Sequence, residues 1–120
     1  MNIEEYRDYC ISKPGATEGF PFDDKVLVFK VMGKIFALTD VDEFKSINLK
    51  CEPEYAIELR EQYEGIYGGY HMSKKHWNTC ENESDIPDSV MKKLIDDSYE
   101  LVASKLTKKL KEELKQLANN

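Results

Sequence analysis

The chain has 120 residues, 41% hydrophobic and 33% charged, and a net charge of −6. That length suits one domain with a core of its own, needing neither a metal nor a disulfide staple. The acidic balance excludes a surface coated all over for nucleic acid, and no apolar run reaches the length of a membrane span.

Asn2 is placed to cap a first helix in which Ile3, Tyr6 and Cys10 recur at helical spacing, ending before Pro14-Gly15. The acids of the opening MNIEEYRDYC stand where a secretory leader would need a basic flank and an apolar centre, so the expected address is cytoplasmic. Cys10, Cys51 and Cys80 are odd in number and form no CxxC pair, the pattern of free thiols in a reducing compartment.

TEGFPFDDK (17–25) is aromatic and broken by proline, and is expected to be an extended lead-in. VLVFKV (26–31) and IFALTD (35–40) are β-branched and apolar around a tight MGK connection, which predicts a hairpin. SINLKC (46–51) alternates, with Ile47, Leu49 and Cys51 inward and Ser46, Asn48 and Lys50 outward. Pro53 suits the first turn of a helix whose inner face is Ala56, Leu59 and Tyr63, and Gly65 ends it.

IYGGYHM and HWNTCE are two more strand candidates around a polar turn. Asp85-Ile86-Pro87 opens the longest helix, with Met91, Leu94, Ile95, Ser98, Leu101 and Val102 inward. The tail adds Leu106, Leu110, Leu114 and Leu117, a narrow stripe suited to loose packing or to a partner.

The order is helix, three strands, helix, two strands, helix and a tail helix. Short connections imply an antiparallel sheet with helices on one face, an α+β domain over 1–106 followed by a basic, Leu-containing tail helix over 107–120. Charge is unevenly placed. Residues 25–51 and 65–80 each carry +2 and 104–120 carry +3, against −4 in 1–24, −4 in 52–64 and −5 in 81–103. Strands and tail are therefore basic while the main helices are acidic, which lets an acidic protein meet a polyanion through one face. The same pattern also follows from the preference of acids for helix surfaces and N-termini.

The window GYHMSKKHWNT (69–79) holds two histidines, two lysines and the lone tryptophan. With Met72-Ser73-Lys74-Lys75 as a four-residue loop, Tyr70 opposes Trp77, His71 opposes His76 and Gly69 opposes Asn78. One face is then Ile66, Tyr70, Trp77 and Thr79, facing the core; the other is Tyr67, His71, His76, Asn78 and Cys80. Three readings compete. The aromatic pair Tyr70–Trp77 pins the register. Alternatively, a basic hairpin tip meets phosphates while Asn78 or His76 reaches base edges. The third is a site for zinc or a nucleophile among His71, His76 and Cys80, but no fourth ligand or orienting acid lies nearby in sequence. Gly65, Gly68 and Gly69 lack the GK[ST] continuation of a phosphate loop.

GYHMSKKHWNT, preceded by VFKVMGKIFALTD (28–40) and INLKCEPEYAIELREQY (47–63), resembles the MmcQ/YjbR family of small bacterial proteins. FPF at 20–22 and IPDSVMKKLIDDSYELV at 86–102 fit the same pattern, and the likeness spans residues 3–106. Gly68 and Thr107 stand where that family often has proline. The resemblance implies an α-β3-α-β2-α architecture like that of secretion chaperones, and a DNA-binding role through a double wing of β-elements.

The expected function is non-enzymatic DNA binding, with no cofactor and no metal. Lys74 and Lys75 would meet phosphate at one wing and Lys34 at the other. Lys30 and Lys50 would line the sheet, and His76 and Asn78 would make polar contacts. The alternative is a protein-interaction module that binds a peptide, or a second copy through the Leu110, Leu114 and Leu117 stripe.

Overall fold

The computed structural model describes residues 1–69 and 73–119. The elements are α1 (Ile3–Ile11), β1 (Ala16–Gly19), β2 (Val26–Val31), β3 (Lys34–Asp40), β4 (Ser46–Lys50), α2 (Pro53–Gln62), β5 (Ile66–Gly68), β6 (Trp77–Glu81), α3 (Asp88–Ser104) and α4 (Lys108–Ala118). The strands form one antiparallel sheet in the order β1-β2-β3-β4-β6-β5. The α+β class and the helix order agree with expectation. The lead-in differs, because Thr17 to Gly19, together with Ala16 before it, pair with Val31 to Val28 of β2 as an extra edge strand.

Local chemistry explains the joints. Met32 and Gly33 both have positive φ, 48° and 86°, which is the twist a two-residue hairpin turn requires. The Asn2 side chain accepts the Glu5 N–H at 2.8 Å and caps α1. The Asp85 carboxylate accepts the N–H groups of Glu64 and Gly65, which hold it below the usual carboxylate range and tie the start of β5 to the loop before α3.

The core lies between the sheet and α1, α2 and α3. Leu27, Phe29 and Val31 of β2, Ile47 and Leu49 of β4 and Cys80 of β6 face Tyr6, Ala56, Leu59 and the inner face of α3. That inner face is Met91, Leu94, Ile95, Ser98, Tyr99 and Val102. Leu101, expected inward, is only half-buried, and Tyr99 is buried in its stead. The Tyr99 ring meets Phe36 edge-on at 5.3 Å, and its hydroxyl donates to the Pro14 carbonyl.

The tail helix docks on its own domain. Thr107 caps it by accepting the Leu110 N–H, Leu106 is buried and Leu114 is half-buried. Gly15 has φ +70°, and a Cβ there would lie 2.7 Å from Leu114 Cδ1, so both backbone and space call for glycine. Leu117 remains 51% exposed.

All three cysteines are free and buried. Burial pushes the thiols of Cys10 and Cys80 up to about 12 and that of Cys51 up to about 11, from an ordinary value of 9.0. The folded protein therefore keeps protons that the unfolded chain releases. This contribution to stability is fully present below pH 9 and is lost as pH rises through 11 to 12. At mildly alkaline pH a thiol reagent should leave all three unreacted in the folded protein and modify all three after unfolding. Rapid reaction of any one without denaturant would contradict their burial.

Candidate nucleic-acid interface

The sheet has a second face, turned away from the core helices α1, α2 and α3. Strand alternation places Val28 and Lys30, Leu38, Asn48 and Lys50, Trp77 and Thr79, and Tyr67 there. The Thr79 hydroxyl donates to Asn48 Oδ1 at 2.6 Å, a cross-strand bond on this face.

The sheet splits at one end. β3 and β4 pair from Thr39–Ile47 to Ala37–Leu49. One residue further, Ser98 of α3 stands where the next ladder bond would lie. Its hydroxyl accepts the Lys50 N–H at 2.9 Å and donates to the Phe36 carbonyl at 2.6 Å. A bulge prepares this. Phe29 pairs with Ala37 and Lys30 with Ile35, so Phe36 is the extra residue, and it and Ala37 are both fully buried. Replacing Ser98 by alanine leaves two backbone groups without this partner, at an expected cost of about 2 kcal/mol. Urea unfolding checks the figure; a midpoint unchanged from the parent would show that Ser98 does not hold the split.

A cleft of about 440 Å³ opens where the strands part. Lys30 and Ile35, paired across β2 and β3, form one wall, with Gly33 and Lys34 of the turn. Lys50 and Trp77, paired across β4 and β6, form the other. Val102 and Lys105 at the end of α3 close the third side. Four lysines line the cleft and, among the described residues, no carboxylate side chain does. A smaller recess of about 330 Å³ adjoins it, sharing Lys30 and bounded by Phe20, Pro21 and Val28. Glu18 also lines that recess, and its carboxylate is held by the Arg7 guanidinium through two bonds of 2.7 and 2.8 Å.

Of the expected contact residues, Lys30, Lys34 and Lys50 come together in the cleft. Lys74, Lys75 and His76 are exposed in the turn before β6 and do not line it. The Lys74 stem lies over Gly68, where an added Cβ would come within 3.1 Å of it. Asn78 requires a correction. It is 2% exposed on the helix side, its Oδ1 accepts from Arg60 Nε at 2.7 Å, and its Nδ2 points to the Ala56 carbonyl. It anchors β6 to α2 and is closed to nucleic acid.

The cause is register. Asn78 pairs with Gly68 and Thr79 with Tyr67, one residue away from the expected pairing of Asn78 with Gly69. A slip of one residue moves side chains to the other face. Asn78 and Cys80 therefore turn to the helices with Ile66, while Trp77 and Thr79 turn away from them. The expected pairs Tyr70–Trp77 and His71–His76 lie outside the described residues. His76 is exposed and Cys80 buried, so these two do not share a surface. Trp77 and Lys105 are cleft residues that the sequence reading missed. Lys105 carries no linear signal, because its place depends on how far α3 runs past Ser98.

An antiparallel α+β domain whose sheet is split by a helix serine, with a lysine-lined cleft in the gap, is the class these features define. The family model described as YjbR matches residues 11–101, and the chain belongs to the YjbR family. It is 34% identical over 118 residues to YjbR of Escherichia coli (strain K12), an uncharacterized protein, across 98% of this chain and 100% of the relative. It is 36% identical over 75 residues to YyaQ of Bacillus subtilis (strain 168), also uncharacterized, across 62% of this chain and 63% of the relative. Among solved structures, a Deinococcus radiodurans protein with a DUF419 domain superposes with a TM-score of 0.87 at 38% identity, covering 94% of this chain and 87% of that one. A Pseudomonas syringae protein superposes with a TM-score of 0.73 at 30% identity, covering 85% and 99%.

Proposed function

We propose that this chain is a DNA-binding protein that holds its ligand in the cleft between the β2–β3 hairpin and the β4–β6 ribbon. The observation that carries the reading is the convergence of Lys30, Lys34, Lys50 and Lys105 on one concave surface, with no lining carboxylate among the described residues, in a chain of net charge −6. Such a concentration of one sign attracts a polyanion despite the opposite net charge. The reading is of binding alone. The three thiols, the obvious nucleophiles, are buried with their ionisation suppressed, and they suit a cytoplasmic address.

The alternative, a protein-interaction module working through the tail, has less support. Leu106 and Leu114 are turned inward, and of the stripe only Leu117 is largely exposed.

Fluorescence anisotropy with labelled DNA at several salt concentrations tests the proposal. Four lysine–phosphate contacts predict a slope of log affinity against log salt of about −3.6 on duplex and about −2.8 on a single strand. No binding at low salt, or binding indifferent to salt, would refute it.

A further inference from the structure

We propose that the strand held in this cleft is single-stranded, with one base stacked on Trp77, the neighbouring base on Phe20, and the phosphate between them on Lys30. The inference rests on the DNA-binding reading and adds the form of the ligand.

Size is the first reason. A volume of about 440 Å³ lies within the ~300–1,000 Å³ range of small-ligand sites, so the cleft accepts one nucleotide unit. A duplex, whose major groove alone is ~12 Å wide, could only rest on the rim. The four lysines would then face a surface that cannot descend to Lys105 on the third side.

The second reason is the aromatic wall. The ladder sets Trp77 beside Lys50, on the face away from the helices. Its backbone is fixed, the N–H donating to Ser73 and the carbonyl accepting from Gly69, both at 2.9 Å. A half-buried indole on a fixed strand is a ready stacking surface, and a cationic groove joined to aromatic faces is how single strands are held without sequence preference. Phe20 supplies the second face. It is 49% exposed at the mouth of the recess that shares Lys30 with the cleft. Glu18 is the one carboxylate lining that recess among the described residues, and Arg7 neutralises it.

A free nucleotide has the same phosphate and base. A strand is favoured because the two aromatic recesses are joined through one lysine, and a mononucleotide fills only one of them.

Trp77 is the lone tryptophan, so intrinsic emission reports this wall directly. The protein is titrated with an oligothymidylate spanning both recesses, an abasic oligonucleotide of equal length, a duplex of equal length, and thymidine monophosphate. The oligothymidylate should quench Trp77 and bind about tenfold or more tightly than the abasic strand. The duplex and the mononucleotide should bind more weakly than the oligothymidylate. Phe20→Ala alters an exposed side chain, keeps the fold by circular dichroism, and should weaken oligothymidylate binding about threefold or more while leaving abasic binding unchanged.

Duplex bound as tightly as single strand with unaltered emission would overturn the inference and leave the DNA-binding reading standing. Equal affinity for the abasic strand would remove base stacking. A mononucleotide bound as tightly as the oligomer would make this a small-molecule site. Failure of every oligonucleotide to bind would defeat both readings.

Discussion

Reversing two charges, Lys30→Glu with Lys50→Glu, should lower DNA affinity at low salt about a hundredfold or more while the fold survives. The two residues stand on opposite walls of the cleft, each paired with an apolar neighbour, Ile35 or Trp77. Neither lysine appears in the ion pairs among the described residues, so no structural pair is broken. Removing two of four phosphate contacts should reduce the salt slope by about 2, and the added carboxylates repel what remains. Lys74→Ala with Lys75→Ala is the informative contrast. Those lysines sit in the turn before β6, outside the cleft, and the double change should cost less than about threefold. Anisotropy on both variants separates a cleft from a basic hairpin tip. If the tip variant loses binding and the cleft variant keeps it, the interface is the basic hairpin tip and not the cleft.

Phe36→Ala should destabilise the protein by about 4 kcal/mol, the range for deleting a fully buried aromatic ring. That is a large share of the ~5–15 kcal/mol typical of a folded domain. The ring is fully buried, edge-on to Tyr99 at 5.3 Å and tilted against Phe29 at 6.4 Å. Phe36 is also the bulged residue whose carbonyl receives the Ser98 hydroxyl. The cavity and the loosened bulge act on the same joint, so the variant should also bind DNA less well where it remains folded. Urea unfolding followed by circular dichroism gives the number. A loss under about 1 kcal/mol would mean that the β2–β3 hairpin and α3 are not locked together through this ring.

Much of this fold was legible because hydrophobic period and burial coincide. Ile47, Leu49 and Cys51 alternate inward as their spacing required, and Met91, Leu94, Ile95, Ser98 and Val102 form the buried stripe of α3. β1 was hidden because Ala16–Gly19 is short, polar and half-exposed, an edge strand defined by its partner rather than its own pattern. The β5–β6 register was hidden for a different reason. Ile66 and Thr79 fit either face by residue type, and one slip exchanges Asn78 for Trp77.

At the site, Lys30 and Lys50 were readable as outward positions on strands. Their convergence was not, because it depends on a tertiary event, the insertion of Ser98 between β3 and β4. That serine was visible in the sequence only as a small residue on the inner face of a helix.

The most direct test is an amide and indole NMR titration of the isotope-labelled protein with an oligothymidylate at low salt. The expected result is a single patch of shifts at Lys30, Lys34, Ile35, Lys50 and Lys105, together with the Trp77 indole N–H. Shifts confined to Ser73–His76 or to α4, or no shifts at all, would contradict the cleft as the binding site.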